Sequence, residues 1–475
     1  MSRIVFGGGV GALAMLAAAC SPTVHPPAAT SVALPEQFTF QDTRQTGQGG
    51  TPIAALLPEH DPGFRALLAQ ALAEAPDLAV AAARIDAARA GLREAGAALL
   101  PGVDLSGQAA QQRISAAQFG GLPGAVRIDP YQGRFSLSAD ARWEPDLFGR
   151  LRATQRSGVA RLNAATADAT AVRLALVCDI AVALTDLRAI DRQYALLRDD
   201  LAQAEAFTAL TVQRAHAGLA PDADVLSARA QVERSGGRLT TLEADRAAVI
   251  GRLVTLTGLP TDRVLATLAT GSRDAASGPV ALSPLAISTL ALRQRPDVRA
   301  AEQRLAAADA DIAALAAERY PRFDITAGLG LIALALGDLF TEQAIIGSVG
   351  ANLSVPLLDF GRVGARLRRS EAAGAEAFAG YRKALFTALG ETEAALGGLD
   401  AAAKTAAALN QQAALDRESA DLAEARYRRG LIGFLEVIAA KRDSLTSQEL
   451  ALLGDADVQR RRIAVYRAVG GAPST

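Results

Sequence analysis

Cysteine, histidine and aromatic side chains are scarce in this chain, and each shortage closes a class of function. Two cysteines among 475 residues leave no disulfide framework. Cys178 falls in the middle of a predicted helix and reads as a small buried residue. The three histidines, His25, His60 and His216, are scattered and fit no zinc spacing. No Cys–His pair or paired-carboxylate motif stands out, so nothing points to an enzyme or a metal centre. Gly7-Gly8-Gly9-Val10-Gly11-Ala12 has the glycine spacing of a dinucleotide loop, but it lies inside the apolar N-terminal segment with no strand before it. Aromatics at 4% beside 50% hydrophobic residues describe an alanine-rich helical protein rather than a sandwich or an aromatic-cored enzyme. A net charge of -1 gives no reason to expect nucleic acid or an acidic membrane surface as partner.

Long apolar runs are also missing beyond the N terminus. Leu174 to Leu184 is preceded by Arg173 and interrupted by Asp179, so no later segment reads as a membrane-crossing helix of about 20 residues. The first residues are a targeting segment: Arg3, then the apolar stretch Ile4 to Ala19, then Cys20. This places a signal peptide over 1–19. Leu16-Ala17-Ala18-Ala19-Cys20 resembles a bacterial lipoprotein box, although its leucine sits four residues before the cysteine rather than three. The resemblance implies that Cys20 carries an acyl and diacylglycerol modification, the only prosthetic group expected, and that Ser21 directs the chain to the outer membrane. An ordinary signal peptide with an incidental cysteine is the alternative. Residues 20–60 then form a lipid-anchored, extended N-terminal segment, in which Pro22, Pro26 and Pro27 favour extended backbone. An exported chain with no helical span is either periplasmic or a β-barrel.

What the chain has in abundance is itself. Ala75-Pro76-Asp77-Leu78 returns as Arg295-Pro296-Asp297-Val298, a shift of about 220 positions that also carries Pro101 onto Pro321 and Asp104 onto Asp324. Beyond these the shift becomes about 212: Phe148-Gly149-Arg150 matches Phe360-Gly361-Arg362, Gly218-Leu219 matches Gly430-Leu431, and Gly258 matches Gly470. One length difference of about eight residues therefore lies between Asp104 and Gly149. The period exceeds any solenoid repeat and describes one duplicated structural unit. The first repeat occupies 61–260, the second 285–475, and 261–284 links them.

Proline is absent between Pro145 and Pro221, between Pro221 and Pro260, and between Pro356 and Pro473. These gaps predict long helices over 149–217 and 362–429, followed by helices over 221–257 and 433–469, with shorter ones after Pro76 and Pro296. A helix of nearly 70 residues would extend roughly 100 Å and needs a coiled-coil partner. Leu176, Ile180, Ala183, Leu187, Ile190, Tyr194, Leu197 and Leu201 alternate spacings of four and three, the period of knobs-into-holes packing. Their counterparts are Ala388, Thr392, Ala395, Leu399, Ala402, Ala406, Leu409 and Ala413. These smaller residues predict closer packing in the second copy. Between the helices lie hairpins at about 103–143 and 323–355. In them Phe135, Leu137, Ala139, Ala141 and Trp143, and again Phe323, Ile325, Ala327, Leu329 and Leu331, alternate with polar or small residues. Nine or ten alternating residues is the length of a transmembrane β-strand. Four strands cannot close a barrel, so the chain must oligomerise if they span. A soluble hairpin domain or a poreless helical rod would leave the same periodicities.

Arg214 to Leu219 and Arg426 to Leu431 each end a long helix with basic residues and then glycine. Asp222, Asp224 and Glu436 follow near the next helix start, where anions are favoured. Helix-end electrostatics accounts for this; so does a tube whose mouth these carboxylates line.

Together these features resemble the TolC-like outer-membrane efflux channel family, in its lipoprotein branch that serves resistance–nodulation–division (RND) multidrug pumps. Arg295-Pro296-Asp297-Val298-Arg299-Ala300-Ala301-Glu302 carries the resemblance, with Tyr320-Pro321, Phe360-Gly361-Arg362, Asp146 to Arg150, and the Arg-Tyr-x-x-Gly turn at Arg426 to Gly430. It implies a mainly α chain with transmembrane β-structure: a homotrimer with a periplasmic α-barrel of coiled-coil helices and a shared twelve-stranded outer-membrane β-barrel set in lipid. It implies a passive exit duct for drugs or small toxic compounds, partnered by a periplasmic membrane-fusion adaptor and an inner-membrane RND-type pump. The linker would form an equatorial belt. The turns at Gly218, Leu219, Gly430 and Leu431 would meet the adaptor. Asp224 and Tyr427 match gate positions of the family, and Glu436 sits where certain members have aspartate. Ala439 replaces the ring-forming aspartate, so the tightest ring falls to Glu436 or is made apolar by Phe434 and Leu435. The alternatives are a type I protein-secretion duct of the same fold and a structural periplasmic coiled-coil lipoprotein.

Overall fold

The computed structural model describes residues 32–40, 53–113, 115, 131–269 and 289–471. The signal peptide, Cys20 and the greater part of the linker expected at 261–284 lie outside the described residues. In chain order the elements are α1 (Pro62–Glu74), α2 (Pro76–Ala97), β1 (Gly102–Arg113), β2 (Tyr131–Trp143), α3 (Arg150–His216) and α4 (Asp222–Thr257). They continue with α5 (Thr261–Ala269), α6 (Pro296–Ala317), β3 (Arg322–Ala333), β4 (Ile345–Ser354), α7 (Arg362–Arg428) and α8 (Phe434–Ala468). The long helices α3 and α7 contain 67 residues each, with no proline to break them. Helix α5 occupies the start of the segment read as a linker.

Two compact units emerge, and each takes segments from both repeats. The described residues of the first fall in Ile85–Ala165 and Ala301–Tyr381; the second comprises Val32–Arg84, Thr166–Ala300 and Arg382–Thr475.

The first unit contains one antiparallel sheet of four strands in the order β1-β2-β3-β4. Its register sorts side chains by chemistry, because strand residues alternate between faces. Val103, Leu105, Leu137, Ala139, Ala141, Ile325, Ala327, Leu329, Val349, Ala351 and Leu353 share one face. The other carries Asp104, Ser106, Gln108, Ser136, Ser138, Asp140, Thr326, Ser348, Asn352 and Ser354, with Ile332 and Ile346 toward one end. On it the Ser106 and Ser138 hydroxyls lie 3.0 Å apart, and Ser138 donates to Asp140 at 2.8 Å. Both outer strands, β1 and β4, are exposed almost throughout. Below the sheet Phe148 stacks on Tyr320 with ring centroids 5.0 Å apart, and Trp143 donates to the Leu99 carbonyl.

The duplication is exact in the hydrogen-bond ladder. Adding 220 to each β1 number and 212 to each β2 number converts the β1–β2 ladder into the β3–β4 ladder: Gly102–Arg142 becomes Arg322–Ser354, and Leu105–Ala139 becomes Ile325–Ala351. The length difference seen in the sequence therefore lies in the connection between β1 and β2.

The second unit is helical. Phe64, Leu67 and Ala71 of α1, Leu176, Ile180, Leu184 and Leu187 of α3, Leu253 of α4, Val264 of α5 and Ile463 of α8 form its core. Most of the first heptad seam is buried, and so is all of the second except the half-buried Leu409. By length and composition Pro62–Ala97 would pass as a single membrane-crossing helix. It is instead two helices: Ala75 precedes Pro76, which disfavours helical backbone at Ala75 and sets its ψ at 128°. Cys178 is buried in this core, and burial pushes its thiol upward from the ordinary value. Carboxylates along α3 meet basic groups of α4 and α8: Asp191 takes Arg246 at 2.9 Å, Asp186 takes Arg460 at 2.6 Å, and Asp179 takes Arg467.

Candidate functional site

The turn after α3 and the turn after α7 are built alike. Gly218 and Gly430 hold φ of 74° and 77°, which glycine adopts without a Cβ clash. Leu219 N–H donates to the Arg214 carbonyl at 2.8 Å, and Leu431 N–H to Arg426 at 3.0 Å. Gly218 and Gly430 each donate 2.9 Å to the carbonyl three residues back. These bonds close the helix ends and leave Leu219 and Leu431 bare at the two turns.

Behind the turns an aromatic cluster ties the helices together. Phe207 of α3 stacks on Phe434 of α8 with centroids 5.4 Å apart, and Tyr427 of α7 lies 5.5 Å from Phe207. Ala228 of α4 and Val437 of α8 complete the cluster. Two cations cap it: the Arg214 guanidinium stands 4.6 Å over the Tyr427 ring, and the Lys441 ammonium 5.2 Å from the Phe207 centroid. Lys441 also pairs with Glu424 at 2.8 Å, and Arg428 pairs with the same carboxylate. The Lys441 hydrogen bond is the main cause holding Glu424 below its ordinary value; partial burial opposes it, and the charges of Lys441 and Arg428 reinforce it.

The residues singled out in the sequence thus divide. Tyr427, 5% exposed, and Phe434 are packed inside the cluster. Leu435, 68% exposed, and Glu436 are on the surface, where Glu436 accepts from the Gly433 N–H at 3.4 Å. Asp224 is half-buried in the first turn of α4. Phe434 therefore cannot line an aqueous ring in this conformation; Leu435 and Glu436 can. Arg214, read from the sequence as a helix-end cation, also covers the Tyr427 ring, while Phe207 and Lys441 carry no sequence motif of their own. The signal for Phe207 is the scarcity of aromatics, since a phenylalanine near the end of a long alanine-rich helix needs a packing partner. Among the described residues no group of three metal-capable side chains gathers.

Comparison with known proteins follows the duplication. The sequence matches the family described as outer membrane efflux protein over residues 67–259 and again over 287–471, one segment in each repeat. The pyoverdine export outer membrane protein OpmQ of Pseudomonas aeruginosa is 29% identical over 86% of this chain and 85% of its own length. Outer membrane protein OprJ of the same species is 30% identical over 82% of this chain and 79% of its own. Among solved structures, the outer-membrane channel OprN superposes with a TM-score of 0.82 at 27% identity, covering 95% of this chain and 99% of that one. A match this extensive, on a fold with a two-faced four-stranded sheet and two 67-residue helices, places the chain in the outer membrane efflux protein family.

Proposed function

We propose that the protein is the exit duct of a tripartite efflux system, passively conducting drugs or small toxic compounds from an inner-membrane RND-type pump and a periplasmic adaptor to the exterior. The observation that carries this reading is the sheet: one face mainly apolar, the other mainly polar, both outer strands bare. An apolar face suits lipid and a polar face suits a water-filled lumen. Bare strand edges are a liability unless another strand pairs with them. Three copies supply twelve strands, enough to close a barrel around an aqueous pore. Cys20, acylated, anchors the N-terminal segment to the outer membrane. The turns at Gly218, Leu219, Gly430 and Leu431 offer the adaptor exposed leucines on helix ends.

Gating falls to the same end of the helical unit. Leu435 and Glu436 line the constriction, with Asp224 as a second carboxylate. Tyr427 and Phe434 act by packing, holding the turns in register. An acidic ring favours cations, and an apolar one gates by dewetting. Opening is a two-state change that the adaptor biases. Energy comes from the pump, and the duct itself does no chemistry.

The test is purification from outer membranes in mild detergent, measurement of native mass, and conductance recording in a planar bilayer. A trimer that forms pores, even rare ones, supports the duct. A non-inserting monomer or dimer refutes it and favours the helical rod. Export of a polypeptide rather than small molecules by cells expressing the channel would point to the protein-secretion duct.

A further inference from the structure

The internal duplication is an operator, and it can be applied where the chain ends as well as where it continues. Within the sheet, the first repeat meets the second through one strand junction. Strand β2 pairs with β3 from Trp143–Ile325 to Phe135–Ala333, and Phe148 stacks on Tyr320 just below. Moving the first partner forward by 212 and the second back by 220, the shifts that reproduce the β3–β4 ladder, turns this junction into one between β4 and β1. Those two strands lie at opposite edges of the same sheet. The junction can form only between β4 of one copy and β1 of another.

The strand residues the operator selects have their outer backbone edges unpaired in the sheet. Trp143–Ile325 becomes Val355–Leu105, Arg142–Thr326 becomes Ser354–Ser106, and Asp140–Gly328 becomes Asn352–Gln108. All six of the resulting residues are exposed. Phe148–Tyr320 becomes Phe360–Leu100. Phe360 is 92% exposed and Leu100 68%, while their counterparts within the chain cover one another. Phe360 also holds φ of 51°, a costly conformation for a bulky side chain that persists where other contacts hold it. The close pair Ser138–Gly330, where a Cβ would lie 2.6 Å from the Leu137 carbonyl oxygen, becomes Gly350–Ala110, again a glycine facing a small residue.

From Val355–Leu105 to Gly350–Ala110 the chemistry of the selected pairs agrees although nothing in the operator requires it; farther along, Leu137–Leu331 becomes Val349–Gln111, an amide beside valine. Ser354–Ser106 and Asn352–Gln108 set polar beside polar on the face that carries Ser138 and Asp140. Val355–Leu105 and Ala351–Ala109 set apolar beside apolar on the other. A slip of one residue would place Leu353 opposite Ser106 and exchange the faces of one strand. A slip of two keeps the faces and is the competing register.

We infer that the seam between copies pairs β4 with β1 of the next copy in the register Val355–Leu105, Ser354–Ser106, Asn352–Gln108 and Gly350–Ala110, and that Phe360 seats on Leu100 of that copy. This rests on the self-assembly proposed above and adds its residue-level geometry. The full-length protein in detergent is oxidised after introducing S106C with S354C, Q108C with N352C, or the register-shifted pair S106C with N352C. The parent chain, with Cys20 and Cys178, is the control. Expected are bands at twice and three times the chain mass for the first two pairs and none for the shifted pair or the parent. A stronger ladder from the shifted pair overturns the register while leaving the trimer standing. A trimer by native mass with no ladder from any pair overturns the β4–β1 seam itself. A monomer by native mass removes the seam together with the assembly.

Discussion

Gly470 rests on Arg295: a Cβ added at Gly470 would lie 2.9 Å from Arg295 Cγ. The first repeat has the same joint, where a Cβ on Gly258 would meet Pro76 Cδ at 3.0 Å. The ends of α4 and α8 thus return to the starts of α2 and α6 through a left-handed glycine, with φ of 71° at Gly258 and 87° at Gly470. The second repeat adds what the first lacks. Arg295 donates to the Ala468 carbonyl at 2.6 Å and to Asp297 and Glu391 at 2.7 Å each. Burial works against its charge, but the hydrogen bonds and charges of Asp297 and Glu391 outweigh that and raise the guanidinium above its ordinary value.

Arg295→Met keeps bulk and removes the donors, leaving the Ala468 carbonyl with the Thr392 hydroxyl as its side-chain donor among the described residues. Hydrogen bonds from charged groups to buried acceptors contribute about 1.5–3 kcal/mol, so a loss of about 2–3 kcal/mol is expected. Gly470→Ala forces a Cβ into both a strained φ and the arginine, at a cost of about 1–2 kcal/mol or more. Thermal unfolding followed by circular dichroism checks both. Unchanged midpoints would mean the joint does not hold the end of α8.

Acid should loosen the tips of α7 and α8. Glu424 is held below its ordinary value by Lys441 and Arg428, so its stabilisation is complete above the unfolded glutamate range and is lost as pH falls through the lowered folded value. Protection of the Tyr427 to Leu431 amides, taken relative to the intrinsic exchange rate at each pH, should therefore fall on acidification below the usual carboxylate range. Glu424→Gln should show raised exchange already at neutral pH and a flattened response to acid. Identical pH profiles for the two proteins would remove Glu424 from the tip's stability.

Exposure separates the proposed gate residues into two kinds. Glu436→Gln leaves the fold untouched, because the glutamine can still accept from Gly433, and should change cation selectivity or divalent-cation block of single channels. Phe434→Ala instead empties the aromatic cluster, at a cost of about 3–5 kcal/mol for a buried phenylalanine. It should raise the frequency of spontaneous opening with selectivity preserved. The reverse pattern, selectivity altered by Phe434→Ala and not by Glu436→Gln, would place Phe434 on the lumen.

Much of this was legible in the sequence because regular structure writes a period. The heptad Leu176 to Leu201 and its alanine-rich copy announced buried seams, since every fourth and third residue must face a neighbour. The alternation from Phe135 to Trp143 announced a strand with two unlike faces. Helix α5 was hidden: nine residues after Pro260 are too few for a period to show, and its Val264, Thr267 and Leu268 are explained only by the core they fill. The tip cluster was partly hidden for another reason. Phe207 and Tyr427 are 220 positions apart, and no local pattern records a contact that only the tertiary fold creates. Phe434, legible as a gate candidate, turned inward because Phe207 was there to receive it.

The paired phenylalanines Phe148 and Phe360 turn the duplication into a comparison with its own control. Phe148 stacks on Tyr320 inside the chain, and such a stack contributes about 0.5–1.5 kcal/mol beyond the area it buries. Phe148→Ala should therefore destabilise the folded chain, by about 2–3 kcal/mol once lost burial is added. Phe360 touches nothing in its own chain that would miss it, being almost wholly exposed. Phe360→Ala should leave monomer stability within about 0.5 kcal/mol, the usual range for a surface change. If Phe360 seats on Leu100 of the next copy, the same substitution should lower the temperature at which trimers dissociate in detergent, and Leu100→Ala should do likewise without adding to it. Two independent losses would mean that the residues work separately. No loss from either would mean that the bare phenylalanine meets lipid rather than a second copy.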